Sequence, residues 1–330
     1  MADVGISSIA GYLPRLRLSK NSIAQANAWL APNLVGKGKG TRAMANWDED
    51  SVTMSVEAIR RILGENDDRS HVDSLFFAST TMPFSDRLNS GIIRAALTLE
   101  EETECIDIGS TLKSGTSALI QALDKVKSGN SNYSIVSVAD KRKARAASPQ
   151  ELDFGDASVA LSVDSDNLIA KYINSSSLSI DFIDHFRQPG EEFDYNWEER
   201  WIRDEGFLKI VPKAINDLFD KTNIDGSKID HFIIPSVFPR VDQMIAKKCG
   251  IDPDKVVNNM ALTVGNSGSA HALLMLASVL ETAKPGEKIL VCSFGNGSDA
   301  LLFETTDNIK SYKPFQTIES LIESGIEEHN

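Results

Sequence analysis

Cysteine is scarce in this chain. Three occur in 330 residues, Cys105, Cys249 and Cys292, each within or beside an apolar segment and none at paired spacing. That excludes a disulfide framework and a cysteine zinc cluster. The histidines are His71, His185, His231, His271 and His329; they also lack metal-ligand spacing, so no metal is expected. Long apolar runs are missing too. A stretch such as Ile289 to Cys292 falls far short of the roughly 20 residues a membrane helix needs, and no membrane role is expected. The opening Met-Ala-Asp-Val-Gly-Ile lacks the basic and apolar regions of a signal peptide, which makes cytoplasmic residence the expectation. Excess positive charge is absent as well. The net charge is −13 and the pI about 4.9, so the field that displaces counterions from nucleic acid is lacking.

What is present fits a globular protein of one large domain or two fused halves, with 42% hydrophobic and 25% charged residues. Val4 to Tyr12 is β-like. Asp48 to Leu63 has Val52, Val56, Ile59 and Leu63 at helical spacing and Gly64 as a stop. Leu75 to Ala78 and Ile106 to Ile108 are short apolar runs of buried-strand type. Ser114 to Val126 predicts a helix, and Ile135 to Val138 a strand.

The pattern then repeats. Val72-Asp73-Ser74-Leu75-Phe76-Phe77 has a counterpart in Ile229-Asp230-His231-Phe232-Ile233-Ile234. Ser114-Gly115-Thr116-Ser117 is echoed by Ser267-Gly268-Ser269-Ala270, again about 155 residues later. A duplicated α/β unit follows, with halves 1–165 and 166–330 and a layered α/β/α/β/α architecture. The polar stretch from Asp184 to Glu205 falls at the join, and Ile318 to Glu328 reads as a short acidic helix.

Both helix starts put small residues where a backbone must approach something closely. A helix N-terminus carries unpaired N–H groups and partial positive charge, which would lower the pKa of a cysteine placed there. The turn before Ser114 is therefore a seat for a nucleophile, faced by the matching turn near Asn266; tight packing of two buried helices explains the same glycines. Basic loops at Lys37, Lys39 and Arg42 and at Lys141 to Arg145 are suited to phosphates of a small ligand, or are simply solvated.

These residues resemble the thiolase superfamily, in its 3-hydroxy-3-methylglutaryl-CoA synthase and ketoacyl-ACP synthase III branch. Gly40-Thr41-Arg42-Ala43 with Asp48 to Met54 is similar to that branch's early arginine and acidic helix start. Phe154-Gly155-Asp156-Ala157 resembles its Gly-Asp turn, and Val264-Gly265-Asn266-Ser267-Gly268 its catalytic-asparagine loop. The resemblance implies a thiolase-like fold and acyl transfer from a CoA or carrier-protein thioester to a cysteine at the start of a buried helix. A histidine and an asparagine or glutamate would assist, and backbone N–H groups would hold the oxyanion.

Carried over position by position, the family's reactive groups are mostly missing. Its cysteine falls on Leu112, its histidine on Pro235 and its synthase-type glutamate at or near Thr80, and only Asn266 is retained. Ser110, Thr111, Ser114 and Cys105 are the neighbouring candidates for a substitute nucleophile. The stretch 113–119, Lys-Ser-Gly-Thr-Ser-Ala-Leu, resembles the cysteine-less synthase-like subunit of diacetylphloroglucinol-forming acetyltransferase complexes.

What this implies is a non-catalytic, structural or pocket-shaping subunit of a thiolase-type acyltransferase complex. Its implied partners are a thiolase-like catalytic chain and a small zinc-ribbon/OB-fold protein, in an obligate hetero- or homo-oligomer. No covalent cofactor is implied; CoA or acyl-CoA is the implied ligand, at Lys37, Lys39 and Arg42. Phe186 to Gly190 and Trp197 to Arg203 offer aromatic and arginine side chains as a contact surface. Two other readings stay open: an active condensing enzyme or acyltransferase with an unusual nucleophile, and a CoA- or acyl-binding module without transferase activity.

Overall fold

Strands β1 (Gly5–Tyr12), β2 (Ser74–Ala78), β3 (Glu104–Ile108), β4 (Ser134–Asp140), β5 (Ala157–Asp164), β6 (Ala170–Ser179), β7 (His231–Ile233), β8 (Lys288–Phe294) and β9 (Gly297–Thr305) form one hydrogen-bonded sheet. The structure is a computed structural model and describes residues 3–64 and 68–328; His329 lies outside the described residues. The strand order is β7-β8-β9-β6-β1-β5-β4-β2-β3.

Read outward from its middle, that order is the same pattern twice. On one side β1 pairs antiparallel with β5, β5 antiparallel with β4, and β4 parallel with β2. On the other side β6 pairs antiparallel with β9, β9 antiparallel with β8, and β8 parallel with β7. The fifth strand differs. β3 lies parallel to β2 over five residue pairs, whereas the corresponding place beside β7 holds only a parallel bridge from Phe232 to Val256. The two sets meet where β1 and β6 pair at Gly5 with Lys171 and Ile6 with Ala170. Gly5 is needed there, because a Cβ would stand 2.1 Å from the Ala170 carbonyl oxygen.

The helices of eight or more residues are α1 (Ser51–Leu63), α2 (Asn89–Ala96), α3 (Ser114–Lys127), α4 (Leu208–Thr222), α5 (Val241–Lys248) and α6 (His271–Leu280). Alternation along the strands distributes them into layers. Phe76 of β2 faces a central core with Leu119 and Leu123 of α3 and Leu273 and Leu276 of α6. Leu75 and Phe77 face the other way, onto Met54 and Ile59 of α1 and Ile93 of α2. Likewise Val291 of β8 points to the central core, while Leu290 and Cys292 pack with Val211 and Ile215 of α4 and Ile245 of α5. Strands covered on both faces require continuous apolar runs, as the sequence has them. The result is the α/β/α/β/α layering. Truncating a central-core residue such as Leu123 to Ala would cost about 3 kcal/mol.

Element ends depart from the sequence reading in identifiable ways. α1 begins at Ser51 rather than Asp48, because Asp50 takes the N-cap: its carboxylate accepts from the Thr53 N–H at 2.8 Å, and the Thr53 hydroxyl accepts in return from the Asp50 N–H. The C-terminal segment expected as one helix is helical only over Ile318–Glu323. Ile326–Glu328 is instead a strand, parallel to Leu16–Ser19 in a small sheet completed by Thr41–Met44. The break falls at Gly325, where a Cβ would stand 2.7 Å from Cγ of Arg17, and Arg17 donates to the carbonyl of Leu321 at 2.9 Å. The stretch expected as an extended polar join contains a hairpin, His185–Phe186 against Tyr195–Asn196. It continues through a wide helical turn, Ile202–Phe207, into α4.

Candidate functional site

The start of α3 is the best-supported piece of buried polar structure in the chain. Lys113 Nζ donates to Asp299 of β9 at 2.9 Å, and both side chains are buried. The same carboxylate accepts from the hydroxyls of Thr116 (2.9 Å), Ser117 (2.7 Å) and Ser177 (2.5 Å). A buried carboxylate with this many donors has its hydrogen-bonding capacity met. Across the central layer, Asp140 at the end of β4 ties the turn after β2 to the turn that opens α6. Its Oδ1 accepts from the Thr80 N–H and the Ser79 hydroxyl, and its Oδ2 from the N–H and hydroxyl of Ser269. Gly115 lets the helices approach, since a Cβ there would be 2.5 Å from the Ser269 carbonyl oxygen.

The Gly-Asp turn and the asparagine loop are joined directly. Gly155 N–H donates to the Asn266 carbonyl at 2.9 Å, and a Cβ on Gly155 would meet the Val264 carbonyl at 1.9 Å. Asp156 accepts from the Ala45 N–H at 2.8 Å, and burial raises its pKa to about 6. Asn266 Oδ1 accepts from the Gly268 N–H at 2.9 Å.

In front of this framework lies a cavity of about 830 Å³, part of it open to solvent. Leu112, Asn266 and Pro235 all line it, brought together from positions up to 154 residues apart. Phe154, Phe207, Phe238 and Phe294 supply aromatic walls, with the Phe207 and Phe294 rings 4.3 Å apart between centroids. The hairpin supplies His185, Asn196 and Trp197. A second, outer groove shares Phe154, Asn196, Trp197 and Glu199 with the cavity and carries Lys143, Arg145 and Arg187.

Thr80 does not line the cavity. Its N–H is held by Asp140, its carbonyl accepts from Arg187, and its buried hydroxyl has no partner among the described residues. Among the basic residues, Lys37 and Lys39 are exposed, and the Lys37 charge acts on Asp153 at the cavity wall. Arg42 is turned inward on its strand and donates to the Phe154 carbonyl at 3.4 Å, so it supports a wall of the cavity. Lys141 is spent on the carbonyls of Asn46 and Glu49.

None of the substitute nucleophiles lines the cavity. Ser110 is exposed in a left-handed turn (φ 71°), Thr111 donates to the Gly295 carbonyl at 2.6 Å, and the Ser114 hydroxyl is buried behind the seat. Cys105 is on the edge strand β3, and burial raises its pKa; burial likewise raises Cys249 to about 11 and Cys292 well above the usual range. His271 is a core residue. Its Nδ1 accepts from the Ser267 N–H at 3.0 Å, its Nε2–H donates to the Asn259 carbonyl at 2.7 Å, and burial lowers its pKa to about 4. His231 pairs with Glu287 on β7, away from the cavity. Among the described residues no cluster suited to a metal ion occurs.

Residues 219–303 match the family model for the C-terminal part of 3-oxoacyl-[acyl-carrier-protein] synthase III. Hydroxymethylglutaryl-CoA synthase from Caldivirga maquilingensis is 29% identical, over 98% of this chain and 94% of the relative. The enzyme of the same name from Aeropyrum pernix is 27% identical, over 99% and 92%. The chain is similar to the hydroxymethylglutaryl-CoA synthases and has a thiolase-like fold. A crystal structure of HMG-CoA synthase complexed with CoA superposes with a TM-score of 0.86 at 18% identity, covering 100% of this chain and 88% of that one. The 3-oxoacyl-(acyl carrier protein) synthase III of Pseudomonas aeruginosa superposes with a TM-score of 0.80 at 17% identity, over 92% and 98%. At these identities the structural matches speak to the fold.

Two constellations in this synthase-like frame were not picked out from sequence. Arg142 and Arg187 both bind the carboxylate of Asp194, at 2.9 and 2.7 Å, with Arg142 and Asp194 almost wholly buried and Arg142 lying 3.7 Å over the Phe154 ring. His185 and Asp184 form a pair at 2.9 Å on the cavity wall. Residues 142 and 194 carry no mutual sequence signal. His185 was visible only as a histidine with an acidic neighbour, a feature shared by many surface loops.

Proposed function

We propose that this synthase-like chain forms no acyl-enzyme of its own and serves as the pocket-shaping subunit of a thiolase-type acyltransferase complex. The observation that carries this reading is the cavity face itself. Leu112 and Pro235, which the resemblance sets at the family's nucleophile and base positions, line the cavity, and none of the three cysteines does. A leucine side chain forms no thioester and a proline transfers no proton. Behind that face Asp299 nonetheless keeps four donors, Lys113, Thr116, Ser117 and Ser177, which fits a chain kept for its shape and surfaces.

Its partners in this reading are a thiolase-like chain with the reactive cysteine and a small zinc-ribbon/OB-fold protein. The outer edge of β3, unpaired among the described residues, supports association, since such an edge offers a row of backbone donors and acceptors to another chain. CoA or an acyl-CoA is the ligand class: a solved relative was complexed with CoA, and the outer groove beside the cavity presents Lys143 and Arg145 for phosphates. The absence among the described residues of a helix long and apolar enough to cross a membrane is compatible with cytoplasmic work.

The test is to incubate the purified chain with radiolabelled acetyl-CoA, alone and with a thiolase-like partner, and map the label. Label confined to the partner's cysteine, with both chains co-eluting, is the expected result. Label on this chain alone would overturn the reading in favour of an unusual nucleophile.

A further inference from the structure

Beside the cavity is a smaller chamber of about 320 Å³, and Pro235 and Asn266 belong to the walls of both. Most polar side chains of the chamber are spent. His271 uses both ring nitrogens, and Asn259 donates to the Ser236 carbonyl at 3.0 Å while its side-chain oxygen accepts from the Ala261 N–H at 3.1 Å. Three groups are not spent. Lys20, 5% exposed, gives one ammonium N–H to the Ala261 carbonyl at 2.6 Å and keeps its other donors. The Asn266 amide nitrogen and the Asp153 carboxylate have no hydrogen-bond partner among the described residues. These two are held side by side, since the Asn266 N–H donates to the Asp153 carbonyl at 2.6 Å.

Local structure favours neither charge. Lys20 is the first residue of a short helix, Lys20–Ala26, and Asp153 the last of another, Pro149–Asp153. Each therefore stands at the helix end whose partial charge repels it. Burial lowers the Lys20 pKa and raises that of Asp153, and each charge partly relieves the other. Yet no ion pair joins them among the described residues, and the neighbouring Arg42 donates elsewhere, to the Phe154 carbonyl. An ammonium and a carboxylate that face one enclosure without touching leave both desolvated charges in need of a partner.

The chemistry of the three groups selects the occupant. Lys20 and Asn266 offer N–H donors that suit a carboxylate, and Asp153 offers an acceptor that suits an ammonium. The two charges of the chamber cancel, so a ligand with a single charge would satisfy one end and be opposed at the other. The rest of the wall includes Pro235, Val237 and Ala261, whose apolar surface suits a short aliphatic group. We propose that the chamber binds a small zwitterionic amino acid, of the size of glycine or alanine, with its carboxylate on Lys20 and Asn266 and its ammonium on Asp153. Because Asn266 also lines the cavity, the ligand would fix that amide and make the chamber an effector site. The proposal is independent of the subunit reading, since it requires neither a partner nor a thioester.

Equilibrium dialysis of the full-length chain against radiolabelled glycine tests this. Saturable uptake is expected, displaced by unlabelled alanine. Acetate and methylammonium, each carrying one of the two charges, should compete about tenfold more weakly or worse. Asp153→Asn and Lys20→Met nearly keep the side-chain shape and remove one charge each. Either is expected to weaken glycine binding about tenfold or more, with circular dichroism checking that each variant is folded. The wild-type competition series stands even if a variant fails to fold. No saturable uptake by wild type, acetate competing as well as alanine, or full affinity in folded Asp153→Asn would overturn the proposal.

Discussion

Behind Leu112 and in front of it, the molecule follows opposite rules. Behind, Asp299 alone gathers Lys113 and three hydroxyls, and Asp140 stitches the turn after β2 to the turn that opens α6. In front, Leu112, Pro235 and four phenylalanines supply much of the cavity's wall. The difference teaches that holding a site's shape and performing its chemistry are separable. The buried polar network is retained because an incomplete network costs stability, whereas replacing a surface thiol or imidazole by an apolar side chain strands no buried charge.

The comparison is most sharply broken from behind. Asp299→Ala leaves the Lys113 ammonium buried without its partner and is expected to lower unfolding free energy by about 3–5 kcal/mol in urea titration. Retained stability would show that the network is ornamental. Gly268→Ala tests the same frame more gently. The residue is left-handed (φ 62°), and a Cβ would stand 2.3 Å from Oδ2 of Asp140, so a loss of about 2 kcal/mol is expected by the same measurement.

From the front the expected costs are smaller. Leu112→Cys should change stability by about 1 kcal/mol or less and should acquire no label from radiolabelled acetyl-CoA, because Pro235 supplies no base. The double variant Leu112→Cys with Pro235→His should acquire label on residue 112, read by peptide mapping. Equal labelling of the single variant would show that the helix start suffices.

The smallest expected effect lies away from both faces. Glu281 accepts from the Ile318 N–H at the start of the C-terminal helix, and burial raises its pKa from about 4.5 to about 7. A raised folded-state pKa means the native state binds the extra proton. Its contribution is therefore full below about pH 4.5 and is lost as pH rises through about 7. Glu281→Gln should be slightly more stable than wild type at pH 8, with the gap closing near pH 4.5 in thermal melts.

Much of the frame was legible because it is local and periodic. The apolar runs at Leu75 to Ala78 and Ile289 to Ser293 are strands buried on both faces, and Ser114 to Val126 has one helix face of Ala118, Leu119, Ala122 and Leu123. The strand at Ile326–Glu328 was hidden, since three residues with two glutamates resemble a helix end until Leu16–Ser19 is beside them. His185 was hidden for a similar reason. A histidine becomes a candidate site residue only when one nitrogen is held and the other faces a cavity, and the sequence around it shows neither.

The amino-acid sequence by itself determined the duplicated strand-helix-strand order and the close-packing glycines. Those properties depend on residue type and short-range spacing, which a linear chain displays directly. Only the tertiary structure decided that Leu112, Pro235 and Asn266 share one cavity, that Arg142 is consumed by Asp194, and that His185 presents a free Nε2 there. Those are relations among residues far apart in the chain, and they exist only once burial and hydrogen bonding have assigned each donor to its acceptor.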